Sequence, residues 1–244
     1  MILSHSHKFI VFKTRKTGGT SLEIALSKYV SAKDVVTPIA AIDEEIRASL
    51  GFSGPQNHVL LRREAVSGRK FYNHIGAEEV RSMIPADVFT GYTKAAIVRN
   101  PFDYVVSWYY WEREKRADTS RMDFRQWLNF QFLHRSDIEA EYQRKLRTNP
   151  GVFASNRLIT HIAGTCVMDL MLRHEFLQED LVRFAETTGL PRSLPGEIGG
   201  IRAKGSYRPG SATAVAMFEG FPEGEALIRN VFAEEIETYG YALA

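Results

Sequence analysis

Apolar residues fall into two rhythms along this chain. Short unbroken runs, FIVF within KFIVFKT (8–14) and AAIVR (95–99), have the length and β-branched character of buried strands. Elsewhere apolar positions recur at helical spacing. Leu22, Ala25, Leu26 and Tyr29 predict a helix directly after the first run, with Gly19 or Thr20 at its start. AEEVRSMI (77–84) predicts a short helix, and Phe124, Trp127, Leu128 and Phe132 predict another over 124–133. Leu227, Ile228, Val231, Phe232 and Ile236 form one stripe of a last helix, from about 223 to 239, stopped by Gly240. After the second run, Asn100 suits an N-cap, Pro101 the first helical position, and Asp103 the positive end of the helix that follows. Residues 31–73, with Pro38 and Pro55 around the single helical stretch DEEIRASL, read as a surface excursion.

Strands alternating with helices predict an α/β fold, with a mostly parallel sheet covered on both faces. Ligands of such sheets bind beyond the carboxyl ends of the strands, where both strand-to-helix junctions point. The length, 244 residues with no internal repeat or linker, is expected to make one domain over 1–244. Its net charge of +2 excludes a general nucleic-acid field, so an anion must be caught locally. The single cysteine, Cys166, excludes an internal disulfide or a multi-cysteine metal site, favours a reducing compartment, and is expected as a small core residue. The N-terminal apolar run is too short for a signal peptide or a bilayer span, so a cytoplasmic protein without a membrane anchor is expected.

The first junction, FKTRKTGGTSLE (12–23), has the chemistry of an anion cradle. Amides at a helix start lack intrahelical partners and carry partial positive charge. Gly18 and Gly19 let the backbone approach a ligand, Lys16 adds a charge, and Thr17, Thr20 and Ser21 add hydroxyls. The order is not that of the nucleotide-triphosphate loop, G-x-x-x-x-G-K-[ST], because the lysine precedes the glycines. Taken alone, the stretch fits equally a plain turn with solvated Arg15 and Lys16. At the second junction Arg99 and Ser107 suit a phosphate clamp, or else Arg99 simply pairs with Asp103. IRAKGSYRPGS (201–211) carries Arg202, Lys204 and Arg208 and is either a functional or a solvated loop. Arg62, Arg63, Arg69 and Lys70 admit an acidic acceptor or a solvated face.

Together, KTGGTSLE and VRNPFDYVVSWY resemble the sulfotransferases that use 3′-phosphoadenosine 5′-phosphosulfate, in the branch holding bacterial and carbohydrate enzymes; NRLITHIAG (156–164) and EEIETYGY are similar more loosely. The resemblance implies a three-layer sandwich of the P-loop-NTPase-like sulfotransferase type. It implies that Arg15, Lys16, Thr17, Gly18, Gly19, Thr20 and Ser21 hold the 5′-phosphosulfate, and that Arg99 and Ser107 hold the 3′-phosphate. It further implies that a C-terminal basic loop, with Lys204 and Arg208, closes over the nucleotide, and that no metal is required. Relatives with a histidine base carry H-x-x-x-x-E-[IV]-R, matched by His74, Glu79, Val80 and Arg81, which makes His74 the expected base and Lys16 the cation at the leaving oxygen.

The expected acceptor is a hydroxyl of a carbohydrate or small molecule, chosen by segments such as 31–73 and 112–155. Competing readings are a P-loop-like small-molecule kinase using ATP, which lacks its G-K-[ST] here, and a non-catalytic nucleotide-binding module. Of the other histidines, His5 and His7 form an H-x-H pair without further ligands, and His58, His134, His161 and His174 are expected as structural residues.

Overall fold

The computed structural model describes residues 1–60, 69–115, 120–132, 156–201, 203 and 207–244. The chain forms two compact units, Met1–Val98 with Asn156–Ala203, and Arg99–Ser155 with Lys204–Ala244. Each unit takes two separate stretches of chain, so the backbone changes units after 98, after 155 and after 203.

The first unit is built on a five-stranded sheet. Its strands are β1 (Ile2–Ser4), β2 (Phe9–Phe12), β3 (Val35–Val36), Thr93–Val98 and Leu170–Arg173. Two small hairpins lie outside it, β4 (Val59–Leu60) with β5 (Arg69–Lys70), and β7 (His161–Ile162) with β8 (Thr165–Cys166), so Thr93–Val98 is β6 and Leu170–Arg173 is β9. The order is β3-β1-β2-β6-β9. β2, β6 and β9 run parallel, and β1 is antiparallel to both β2 and β3, so four of the five strands share one direction.

Strict alternation sends each strand's side chains to two cores. Ile2, Phe9, Val11, Ala95, Ile97 and Leu172 meet Leu22, Ala25 and Leu26 of α1 (Gly19–Leu26), and also Phe184 and Leu194 of the helices Leu177–Thr188 and Leu194–Gly199. Leu3, Ile10, Phe12 and Ala96 meet Ala77 and Val80 of the helix Ala77–Met83, together with Phe89 of the helix Ala86–Gly91 and Ile159. Burial on both faces explains why β2 and β6 read as unbroken apolar runs. The molecule is thus a mixed α/β protein with a mostly parallel central sheet flanked by helices.

Two expectations change here. Residues 31–73 are not wholly a surface excursion, because Val35 and Val36 form the sheet edge and Asp34, Asp43 and Arg47 are buried. Polar residues in that stretch hid its burial, since Asp34 accepts from Ser4 Oγ and from the His5 N–H, and so satisfies the β1–β2 turn. Cys166 is exposed on the β7–β8 hairpin rather than in the core.

The second unit packs the helices Pro101–Lys115 and Phe124–Phe132 with Ala214–Phe218, Pro222–Val231 and Ala233–Tyr239. Its core gathers Phe102, Trp108, Tyr109, Trp127, Phe218 and Ile228. Of the four consecutive aromatic residues 108–111, Trp108 and Tyr109 are buried, and Glu112 one turn on is buried too, accepting from Trp127 Nε1–H and from Gln131. The expected last helix is two helices. It breaks at Phe232 (φ −114°, ψ 30°), whose ring packs edge-on to Tyr104, while Gly240 (φ 65°) ends the second piece as expected. Among the described residues no helix is long and apolar enough to cross a membrane.

Candidate functional site

The first unit places the loop from Lys13 to Gly18, and the first turn of α1 that follows it, at the carboxyl edge of its parallel strands. Helix α1 begins after Gly18, an N-cap in the left-handed region (φ 85°) with no side chain capping the helix. The first-turn amides therefore keep the anion affinity of an uncapped helix start. Lys16 is also left-handed (φ 57°), a costly conformation for a residue with a Cβ and one that the surrounding bonds must impose.

Those bonds run through the loop's own polar groups. Thr14 Oγ1 donates to the Ile97 carbonyl at 2.6 Å, which leaves the Thr17 hydroxyl to donate inward, to Thr14 Oγ1 at 2.7 Å. Thr17 is buried, and its hydroxyl closes the loop on itself in this structure. Asn156 clips the other side, accepting from the Arg15 N–H at 2.7 Å and donating to the Arg15 carbonyl at 3.1 Å. Thr20 is buried, and Ser21 Oγ accepts from the Ala203 N–H at 3.4 Å. A Cβ at Gly19 would lie 3.2 Å from Lys13 Cγ, so a side chain there would press on the Lys13 stem over the strand end.

Beneath the loop lies a buried charge cluster that the sequence did not disclose. Lys13 Nζ reaches Glu23 Oε2 at 3.1 Å, and Glu23 Oε1 accepts from Thr37 Oγ1 at 3.0 Å and from the Met1 ammonium at 2.9 Å. Arg47, fully buried, approaches the same carboxylate at 3.8 Å. Burial alone would raise the Glu23 carboxyl, but the Met1 ammonium and Lys13 outweigh it and hold it at about 2. The ion pair joins the residue before the loop to the middle of the helix after it.

His74 sits against this loop. It is left-handed (φ 65°) and only partly accessible, and its Nδ1 lies 2.8 Å from the Lys13 carbonyl. A carbonyl only accepts, so Nδ1 carries the proton and Nε2 keeps its lone pair. Burial, then the charges of Arg15 and Lys13, push the imidazole down to about 3, so it is neutral under all ordinary conditions. Of its companions in the motif, Glu79 accepts from Tyr72 OH at 2.6 Å, Val80 is buried, and Arg81 is exposed.

A second histidine, one that sequence reasoning set aside, also bonds to the loop. His174 Nδ1 lies 3.0 Å from the Thr17 carbonyl. His174 follows β9, and no local pattern around it signals a role. Its place comes from sheet register, which sets Phe12 beside Ala96 and Ala96 beside Met171, so that the chains after β2 and β9 leave the same carboxyl edge on either side of β6.

Arg99, Ser107 and Arg208 belong to the second unit. Arg99 Nε donates to Asp103 Oδ2 at 2.7 Å, and Arg208 Nη1 pairs with Asp103 Oδ1, so one carboxylate gathers both arginines. Burial would raise the Asp103 carboxyl, but Arg99 and Arg208 hold it below its usual range. Ser107 lies one turn beyond Asp103 on the same helix and is half-buried. Asn100 Oδ1 accepts from the Phe102 N–H at 3.1 Å, as an N-cap side chain does.

Lys204, Arg202, Arg62, Arg63 and His134 lie outside the described residues. Arg69 and Lys70 form the exposed strand β5. His5 and His7 are taken up locally, with Nδ1 atoms 2.9 Å from Tyr92 OH and 3.2 Å from the Thr188 carbonyl. Among the described residues no group of three or more His, Cys, Asp or Glu is placed to hold a metal ion. Comparison of the chain with protein-family models, with curated proteins and with solved structures gives no match in any of the three.

Proposed function

We propose that this protein is a sulfotransferase of the P-loop-NTPase-like type, moving the sulfuryl group of 3′-phosphoadenosine 5′-phosphosulfate to a hydroxyl of a carbohydrate or small molecule. The observation that carries the reading is the bond from His74 Nδ1–H to Lys13 O, which sets a neutral imidazole with a lone pair on Nε2 against the residue that opens the loop leading to an uncapped, glycine-opened helix start.

The loop residues would then each have a task. The amides at the start of α1 hold the 5′-phosphosulfate, with Arg15 and Lys16 supplying full charge and Thr20 and Ser21 their hydroxyls. His74 Nε2 takes the acceptor proton as the acceptor oxygen bonds to sulfur. The bond from sulfur to the bridging oxygen breaks, its electron pair leaves with the 5′-phosphate, and Lys16 stabilises that developing charge. This chemistry is mostly positioning and charge stabilisation, and by resemblance it requires no metal. By resemblance Arg99 and Ser107 take the 3′-phosphate, with Lys204 and Arg208 from the C-terminal loop.

Transfer of labelled sulfate from the donor to a panel of sugar and alcohol acceptors tests the proposal. Lys16→Ala and His74→Ala should each abolish turnover, and Arg99→Ala should chiefly weaken binding of adenosine 3′,5′-bisphosphate in calorimetry. Tighter binding of ATP with magnesium than of adenosine 3′,5′-bisphosphate would overturn it in favour of a kinase.

A further inference from the structure

We propose that His174 is a positioning residue that locks the Thr17–Gly18 peptide plane and so fixes the direction of the Gly18 N–H at the start of α1. The Thr17 carbonyl can only accept, so the bond at 3.0 Å means that His174 donates through Nδ1–H. A trans peptide is planar, with its C=O and N–H pointing opposite ways. Turning the Thr17 carbonyl onto His174 therefore turns the Gly18 N–H away from it.

The chain would not make this choice unaided. Flipping that peptide changes ψ of Thr17 and φ of Gly18, and glycine accepts either sign of φ at little cost. Gly18 is left-handed here, at φ 85°. With Thr17 buried, the flip would also strip a buried carbonyl of its donor. The ring closes over the glycine as well, since a Cβ built on Gly18 would stand 3.3 Å from His174 Nδ1 and 3.5 Å from Cε1.

His174 is itself held firmly. Asp180 accepts from the Arg173 main-chain N–H at 2.7 Å and from both Nε and Nη2 of its guanidinium, which pins the end of β9 immediately before the histidine. The lock thus joins two adjacent loops at the carboxyl edge of the sheet. That the oriented amide serves a bound anion rests on the sulfotransferase reading. That His174 orients it does not.

The test compares His174→Phe, His174→Asn and His174→Gln in full-length protein labelled with ¹⁵N-glycine. An asparagine amide N–H can occupy the position of Nδ1–H, whereas glutamine carries its amide nearer the place of Nε2. The Gly18 amide signal and its φ-sensitive coupling should change in His174→Phe and His174→Gln and return to wild-type values in His174→Asn. Affinity for adenosine 3′,5′-bisphosphate should fall about tenfold or more in the first two, the worth of one lost hydrogen bond, and recover in the third. A wild-type Gly18 signal in either His174→Phe or His174→Gln overturns the lock, and the glutamine variant decides if the phenylalanine variant does not fold. If Gly18 responds as expected but the wild type binds no nucleotide, the lock stands and the sulfotransferase reading falls.

Discussion

His74 gives its one ring proton to the main chain of Lys13, across 2.8 Å, so the tautomer of this imidazole is fixed by the residue that introduces the loop. Its pKa of about 3, well below the ordinary 6.5, sets the sign of a pH effect. Between those values the unfolded chain binds a proton at His74 that the folded chain refuses. Stability should therefore be fully present above about pH 6.5 and fall toward pH 3, with a slope on the order of 1.4 kcal/mol per pH unit from this group. Urea unfolding across that range should show the slope in the wild type and a flatter line in His74→Gln. An imidazole ¹⁵N spectrum at pH 6 that showed a cationic ring would contradict the assignment.

If the proposed function holds, adenosine 3′,5′-bisphosphate brings negative charge toward Arg15 and Lys13, the cations that depress His74 after burial. Its binding should raise the His74 pKa, since the neighbouring positive charges are offset while the ring stays in place. Titration of the ring by NMR with and without the nucleotide measures this. No upward shift on saturation would mean that the ligand is bound elsewhere.

Glu23→Gln removes the buried carboxylate that Lys13 and the Met1 ammonium share, and that Arg47 approaches besides its own pair with Glu44. Leaving buried cations without their anion should cost about 3–5 kcal/mol in urea unfolding. The native carboxyl, held at about 2 against an ordinary 4.5, adds stability that is present above pH 4.5 and is lost as pH falls toward 2. The variant should lack that loss.

Gly76→Ala places a Cβ 2.6 Å from the Leu158 carbonyl oxygen, a backbone atom that cannot swing aside. It should lower stability by about 1–3 kcal/mol. Because Gly76 is two residues from His74, it should also disturb the His74 ring signals, which a distant packing defect would not do.

Asp103→Ala removes the carboxylate that Arg99 and Arg208 share. The second unit should lose about 1–3 kcal/mol. Amide hydrogen exchange should quicken at the turn where Arg208 Nε donates to the Ala212 carbonyl at 2.7 Å. Unchanged exchange there would show that the carboxylate does not hold the turn.

The parts of this fold legible in sequence are those governed by near neighbours. Phe9–Phe12 and Ala95–Val98 announced buried strands because both their faces meet apolar layers, and Asn100 with Pro101 announced a helix start. Illegible were the features made by distant partners. Leu170–Arg173 is too short to show a period, so β9 was invisible, and with it the reason His174 reaches Thr17. Arg47 in a charged helical stretch looks solvated, and only the fold brings Glu23 to it. The helix break at Phe232 follows an apolar stripe that continues unchanged across it, so no pattern could have marked it. The bond between the Thr14 and Thr17 hydroxyls within the loop was likewise invisible.

The three unit changes along the backbone bear on how the chain is made. While residues 99–155 leave the ribosome, the sheet still lacks β9, its outermost parallel strand, and the edge of β6 has no partner there. The nascent protein must therefore carry an incomplete sheet while it synthesises much of its other half, and that half in turn waits for 204–244. A chain threaded this way acquires its catalytic candidate His74 early and its loop lock His174 late. The loop would then reach its final shape only after the fold around it has closed.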